Sequence, residues 1–195
     1  MVTRVGLLRH GETDSNSAGR LQGREGIKLN ARGREQARQS AIFLASYRWD
    51  LIVSSPVIRA LETAYIIAEH LAMEHILQMQ EFEARGPGAA IGLTQQEIAA
   101  RFPDGNVPGA EARPDVAKRS TKGLNALHQD HPGKRILVVT HREVIRNTVA
   151  SLPGGETLAV AQPGIGSVSF IRYEGGGWQI ESYNTMSHLT ADQLG

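Results

Sequence analysis

The chain of 195 residues contains no cysteine, which removes disulfides, thiolate metal ligands and a cysteine nucleophile. Long apolar runs are missing too. Nothing approaches the roughly 18 residues of a spanning helix, and the opening MVTRVGLLRH lacks a signal-like apolar segment. The expectation is a soluble, cytoplasmic protein with no membrane partner. There is no excess of one charge, since 21 basic side chains face 20 acidic ones. That balance argues against nucleic acid as a partner bound through net charge. Neither G-x-x-x-x-G-K-[ST] nor G-x-G-x-x-G occurs, so nucleotide sites of those kinds are excluded.

What is present is ordinary globular composition, 41% hydrophobic and 21% charged, in a length that suits one domain over 1–195. Strand and helix patterns alternate. Val2 to Leu8, Asp50 to Ser55 and Arg135 to Thr140 read as buried strands, and Ile76 to Gln80 as a further one. Helical patterns cover Ala31 to Tyr47, the run after Pro56 with Ser54 or Ser55 as its cap, Ala112 to His131, and Arg142 to Ser151. Thr94 to Phe102 is a short helix with a Thr94/Glu97 capping box. SVSFIRY, GGG and WQIESY close the chain as a hairpin. This order predicts an α/β fold, a mostly parallel sheet with helices on both faces. Two stretches rich in Gly, Pro and Ala, Gly86 to Gly92 and Pro103 to Pro114, read as long loops of one domain, a kind of loop that often carries function.

Ligands of open α/β sheets bind beyond the carboxyl ends of the strands. There the first strand delivers Arg9, His10, Gly11 and Glu12. The second delivers Ser54 and Ser55, with Arg59 one turn into the next helix, and RILVVT delivers Thr140, His141 and Arg142. Helix N-termini favour anions, arginine forks match phosphate oxygens, and a neutral imidazole can be a nucleophile, proton carrier or ligand. Gly11 would be the turn that leaves room for the anion. These residues by themselves suggest a phosphate site.

LLRHGETDSN, SSPVIRALETA and VVTHREVIRN together resemble the histidine phosphatase superfamily, also called the phosphoglycerate mutase-like family. LQGREGIKLNARGREQA, GLTQQEI, RFPDGNVPGAEA and YNTMSHL extend the likeness in order along nearly the whole chain. The resemblance implies that His10 is phosphorylated during turnover, with His141 catalytic beside it and Arg9, Arg59, Asn16, Gln22 and Gly23 binding the phosphoryl group or substrate. It implies no cofactor and no metal, and a small phosphorylated metabolite as partner. A homodimer stays open.

The resemblance makes about 81–114 a lid and connector region, and it calls for a carboxylic acid shortly before the lid's glycines. Counting forward from SPVIRALETA reaches Glu83, whereas counting back from GLT reaches Ala84, with Glu81 nearby. Glu83 is expected, because the chemistry needs an acid. Ala90 and Ile91 replace the family's lid tryptophan and glutamate, and Gly26 replaces an aspartate. Arg142 stands where glycine is common and could either bind a second anionic group of the substrate or partly fill the site. The expected function is a metal-independent phosphomonoesterase. A 2,3-bisphosphoglycerate-dependent mutase and an impaired phospho-ligand-binding protein are the alternatives. The short span from Glu83 to Pro114 favours a phosphatase over a mutase. His70 with His75, and His128 with His131, lack the partners of a metal site, and His188 reads as structural.

Overall fold

The computed structural model describes residues 1–190. One six-stranded sheet runs in the order β3-β2-β4-β1-β5-β6. Strands β1 (Thr3–Arg9), β2 (Leu51–Ser54), β3 (Ile76–Gln78) and β4 (Arg135–Thr140) are mutually parallel where they pair. The terminal hairpin of β5 (Val168–Glu174) and β6 (Gly177–Thr185) adds antiparallel strands beside β1. The α/β class read from the alternating pattern is thus the observed one.

Both faces of the sheet are covered. Helices α2 (Ala31–Leu44) and α3 (Ile58–His70) pack Ala41, Leu44, Ala60, Ala64 and Ile67 against one face, around Leu8, Ile52, Leu137 and Val139. On the other, α5 (Arg113–Asp130) and α6 (Arg142–Ala150) pack Val116, Leu124, Leu127, Ile145 and Val149 onto Val5, Leu7, Val53, Ile136 and Val138. Burial on both faces is why RILVVT and VGLL read as continuous apolar runs rather than alternating ones. Among the described residues, no helix is long and apolar enough to cross a membrane.

Several local expectations are corrected. Helix α3 starts at Ile58 with Val57 as its N-cap and no side-chain cap, so neither Ser54 nor Ser55 caps it. Ser54 Oγ donates to Ser55 O at 2.8 Å, and Ser55 Oγ accepts from Val57 N–H before the helix begins. Helix α2 stops at Leu44, not Tyr47, because the Trp49 indole donates to Leu44 O at 2.9 Å and turns the chain. Strand β3 ends at Gln78, and a 3₁₀ turn over Gln80–Phe82 follows. Two four-residue helices, α1 (Asp14–Ser17) and α7 (Gly155–Leu158), were not anticipated from the sequence. The expected Thr94/Glu97 box does open α4 (Gln95–Arg101).

The long loops brace each other. Pro87 pairs with Ala110, Ala89 N–H donates to Pro108 O, and Glu111 N–H donates to Gly86 O. Leu21 and the Arg20–Thr94 bridge fasten this region to the loop after α1. A roof therefore lies over the carboxyl ends of β1, β2 and β4.

Candidate active site

Strand register assembles the centre. Parallel β1 and β4 pair Arg9 with Thr140, and His10 N–H continues the ladder to Thr140 O at 3.0 Å. The next residue on each strand is a histidine, so His10 and His141 stand side by side, ring centroids 5.1 Å apart in an edge-on arrangement. Ser54 of β2 pairs with Val139, so Ser55 falls opposite Thr140, and its Oγ reaches His141 Nε2, one residue further on, at 2.8 Å. Arg59 comes from the first turn of α3. The four side chains Arg9, His10, Arg59 and His141 are each at most 9% exposed, yet all line one cavity of roughly 230 Å³.

Hydrogen bonds fix the protonation of His10. Its Nδ1 lies 2.7 Å from Gly11 O, which can only accept, so Nδ1 carries the hydrogen. Nε2 then holds the lone pair, and Arg59 Nε–H donates to it at 3.2 Å. Burial, followed by the charges of Arg59 and Arg9, pushes the His10 pKa well below the ordinary 6.5 and keeps the ring neutral. The result is an unprotonated Nε2 facing the cavity, the form a nucleophilic imidazole requires.

His141 is held in the complementary form. Ser55 Oγ accepts from Val57 N–H at 3.2 Å and lies 2.8 Å from His141 Nε2. Its own proton is thus directed to Nε2, which leaves the neutral ring's hydrogen on Nδ1. That atom is buried with no partner. Burial, then the Arg59 charge, lowers the pKa of this histidine too.

The guanidinium groups are only partly satisfied. Arg9 donates to Pro163 O at 2.7 Å and Arg59 to Gly23 O at 2.8 Å, but Arg9 Nε and one terminal nitrogen of Arg59 are buried without acceptors. Burial pushes Arg59 down to about 10. Burial plus the charges of Arg142 and Arg59 push Arg9 down to about 9. Guanidinium stays protonated at neutral pH, so these shifts mark positive charge the protein leaves uncompensated. The Asn16 side-chain amide adds a buried, unpartnered nitrogen, and the first turn of α6 begins directly after His141. A tetrahedral oxyanion carries the negative charge and the acceptor oxygens that these donors lack.

The remaining sequence candidates divide. Asn16, Gln22 and Arg142 line the cavity. Gly23 does not; its N–H is taken by Glu25 at 2.8 Å and its carbonyl positions Arg59, so it supports the clamp rather than touching the cavity. Gly11 likewise lies off the cavity. A Cβ there would fall 2.3 Å from Gly33 O, so its role is to admit the first turn of α2. Glu83 is also displaced from its expected place, its carboxylate paired with Arg24 at 3.0 Å, while Ala84 forms the cavity wall. Glu62 supports the site by accepting Leu29 N–H at 2.7 Å.

Other polar residues have structural partners. His128 meets Thr3 Oγ1 at 2.8 Å and stacks on Tyr173, and His188 contacts Gly166 O and stacks on Phe43. Among the described residues no three His, Asp or Glu side chains gather as a metal centre would require. Residues missed from the sequence include Ser55 as partner of His141, Thr63, and Glu143. Thr63 was detectable: it lies one turn beyond Arg59 on the same helix face, where its hydroxyl accepts Gly11 N–H at 3.1 Å.

Fold and site together define an α/β enzyme with a cavity in which a pair of neutral histidines stands among buried arginines. The histidine phosphatase superfamily (branch 1) model matches residues 5–186, and the chain belongs to that superfamily, as a hydrolase of phosphomonoesters. It is similar to the uncharacterized phosphatase PhoE of Bacillus subtilis, 36% identical over 190 residues, 97% of this chain and 98% of that protein. A metal-independent phosphoserine phosphatase of Arabidopsis thaliana is 32% identical, covering 97% of this chain and 84% of that one. In structure it resembles a mycobacterial glucosyl-3-phosphoglycerate phosphatase, with TM-score 0.84, 27% identity, and coverage of 95% of this chain and all of the other.

Proposed function

We propose that this protein hydrolyses small phosphate monoesters, without a metal ion, through a phosphohistidine formed on His10. The observation that carries this reading is the protonation pattern. His10 Nε2 holds its lone pair at the centre of the cavity, and the unpartnered donors of Arg9, Arg59 and His141 surround it. Nε2 attacks phosphorus while the bond to the leaving oxygen breaks. The surrounding donors take up the charge of the transferring group, a preorganised arrangement that stabilises a transition state most. Water then attacks phosphorus, the P–N bond breaks, and inorganic phosphate leaves.

The cavity suits a substrate with more than one anionic group. Among the described residues, five arginines line it, namely Arg9, Arg20, Arg59, Arg85 and Arg142, against the one carboxylate of Glu143. Phosphoserine and glucosyl-3-phosphoglycerate, in the names of two relatives, each pair a phosphate with a carboxylate. Phosphorylated carboxylic acids therefore head the substrate panel.

The test is phosphate release from p-nitrophenyl phosphate and that panel with EDTA present, together with trapping of labelled phosphoprotein by an alkaline detergent quench. Acid-labile label that disappears in His10→Ala, along with turnover, is the expected result. Interconversion of phosphoglycerates that depends on 2,3-bisphosphoglycerate, without net phosphate release, would point to a mutase instead. Phosphate binding with no turnover of any ester would overturn the enzyme reading.

A further inference from the structure

The leaving oxygen of an alkyl phosphate needs a proton, and the segment expected to supply the acid does not bring one to the cavity. The 3₁₀ turn Gln80–Phe82 is anchored by burial of Phe82 and by Thr140 Oγ1 donating to Phe82 O at 2.7 Å. Arg119 donates to the carbonyls of Glu81 and Glu83 at 2.7 and 2.8 Å and is clamped in turn by Glu111. The chain leaves this anchor extended at Glu83 (φ −61°, ψ 157°), so successive side chains alternate. Phe82 enters the core, Glu83 turns to Arg24, and Ala84 faces the cavity. Glu81 lies against Lys122 and Gly123 and does not line the cavity. The wall beside the phosphate centre is a methyl group.

Among the described residues, one carboxylate lines the cavity from elsewhere. Glu143 sits in the first turn of α6, two residues after His141, with its side chain 16% exposed. Its Oε1 lies 3.5 Å from Arg142 Nε. Its Oε2 is buried with no hydrogen-bond partner, the nearest cation being Arg113 at 3.9 Å. It is also close enough to Arg9 to oppose the loss of that guanidinium's proton. A buried carboxylate oxygen with no hydrogen-bond donor, on a residue lining a reaction cavity, is costly unless something donates to it there.

We propose that Glu143 is the general acid–base of this protein, replacing the carboxylate missing at Ala84. The inference rests on the phosphohistidine reading above. The Glu143 carboxyl gives its proton to the leaving oxygen as the Nε2–P bond forms and the P–O bond breaks. The carboxylate then takes a proton from the water whose oxygen attacks phosphorus as the P–N bond breaks. The acid is thereby restored, and alcohol and phosphate are the products.

The test compares first-turnover rates on an alkyl ester, glycerol phosphate or phosphoserine, with those on p-nitrophenyl phosphate, whose phenolate leaves without a proton. Glu143→Gln should slow the alkyl ester by about 10²–10⁴-fold and the aryl ester far less, which steepens the dependence of rate on leaving-group pKa. Ala84→Glu added to Glu143→Gln should restore alkyl turnover. Acetate should rescue Glu143→Ala on the alkyl ester, a response that a purely structural role would not give. Glu83→Gln should leave both rates within about twofold. Equal losses on the two esters in Glu143→Gln, no rescue, or transfer of the alkyl defect to Glu83→Gln overturns the assignment while leaving the His10 chemistry intact. Wild-type protein that traps no phosphate on His10 overturns the phosphohistidine reading, and Glu143 with it.

Discussion

Arg59 Nε lies 3.2 Å from His10 Nε2, on the side of the ring opposite the 2.7 Å contact between Nδ1 and Gly11 O. The backbone fixes which nitrogen carries the hydrogen, and the guanidinium fixes where the lone pair points. Arg59 can reach this place because Gly23 O holds its far end at 2.8 Å and Thr63 accepts on the helix face below.

Arg59→Lys keeps the charge and loses the planar fork, so it is not a conservative change at this position. The expected loss in kcat/KM is about 10²–10³-fold, the scale for removing one donor that meets developing charge. Steady-state kinetics and competitive inhibition by inorganic phosphate measure it. A change below threefold in both would remove Arg59 from the phosphate clamp.

Ser55→Ala should disturb His141 without touching the cavity. Loss of the 2.8 Å contact frees the His141 ring to carry its hydrogen on Nε2, with Nδ1 no longer a donor. One hydrogen bond is worth about 0.5–1.5 kcal/mol, so kcat should fall roughly tenfold with KM little changed. Ser55→Thr retains the hydroxyl and should recover most of the rate if the added methyl fits. The split between kcat and KM in the two variants checks the tautomer argument.

Stability should fall on mild acidification. His10 and His141 both have folded-state pKa values well below 6.5, from burial and neighbouring arginines. Below pH 6.5 the unfolded chain binds protons that the folded chain refuses, so the unfolding free energy decreases as pH drops. The decrease continues until the lowered folded values are reached. The limiting slope is about 1.4 kcal/mol per pH unit for each histidine. Urea unfolding between pH 7.5 and 4.5 measures it, and His10→Asn should show a shallower slope. A flat stability profile across this range would contradict neutral buried rings.

Gly11→Ala and Gly33→Ala should both destabilise, because Gly11 packs against the backbone of Gly33 and Gly33 against the backbone of Glu12. A Cβ on Gly11 would lie 2.3 Å from Gly33 O, and one on Gly33 would lie 2.1 Å from Glu12 O. Backbone cannot rotate aside as a side chain can, so the cost is at least the roughly 1–3 kcal/mol of overpacking. Equilibrium unfolding supplies the measurement. Activity should fall as well, since the same shift displaces His10.

Legibility followed the range of the determinants. The β1 and β4 runs, the Thr94/Glu97 box and the terminal hairpin were readable because periodicity and capping are local. Helices α1 and α7 were too short to show a period, and the true start of α3 depended on what Ser54 and Ser55 bond elsewhere. Within the site, Arg9, His10, Arg59 and His141 were legible as strand-end and helix-start residues. Gly23 and Gly11 carried the right identity but a different role, visible only once Glu25, Arg59 and Gly33 were placed around them.

The sequence alone determined that two histidines and an arginine pair would meet, because adjacent parallel strands deliver whatever follows their last residues to one edge. It could not determine which carboxylate joins them. The two counts across 59–94 differ by one residue, and in extended chain a shift of one residue turns a side chain to the opposite face. Only tertiary packing resolved that slip. Burial of Phe82 and the Arg119 clamp on the Glu81 and Glu83 carbonyls turn Glu83 toward Arg24 and set Ala84 on the wall. Helix α6, starting at the cavity, sets Glu143 there instead.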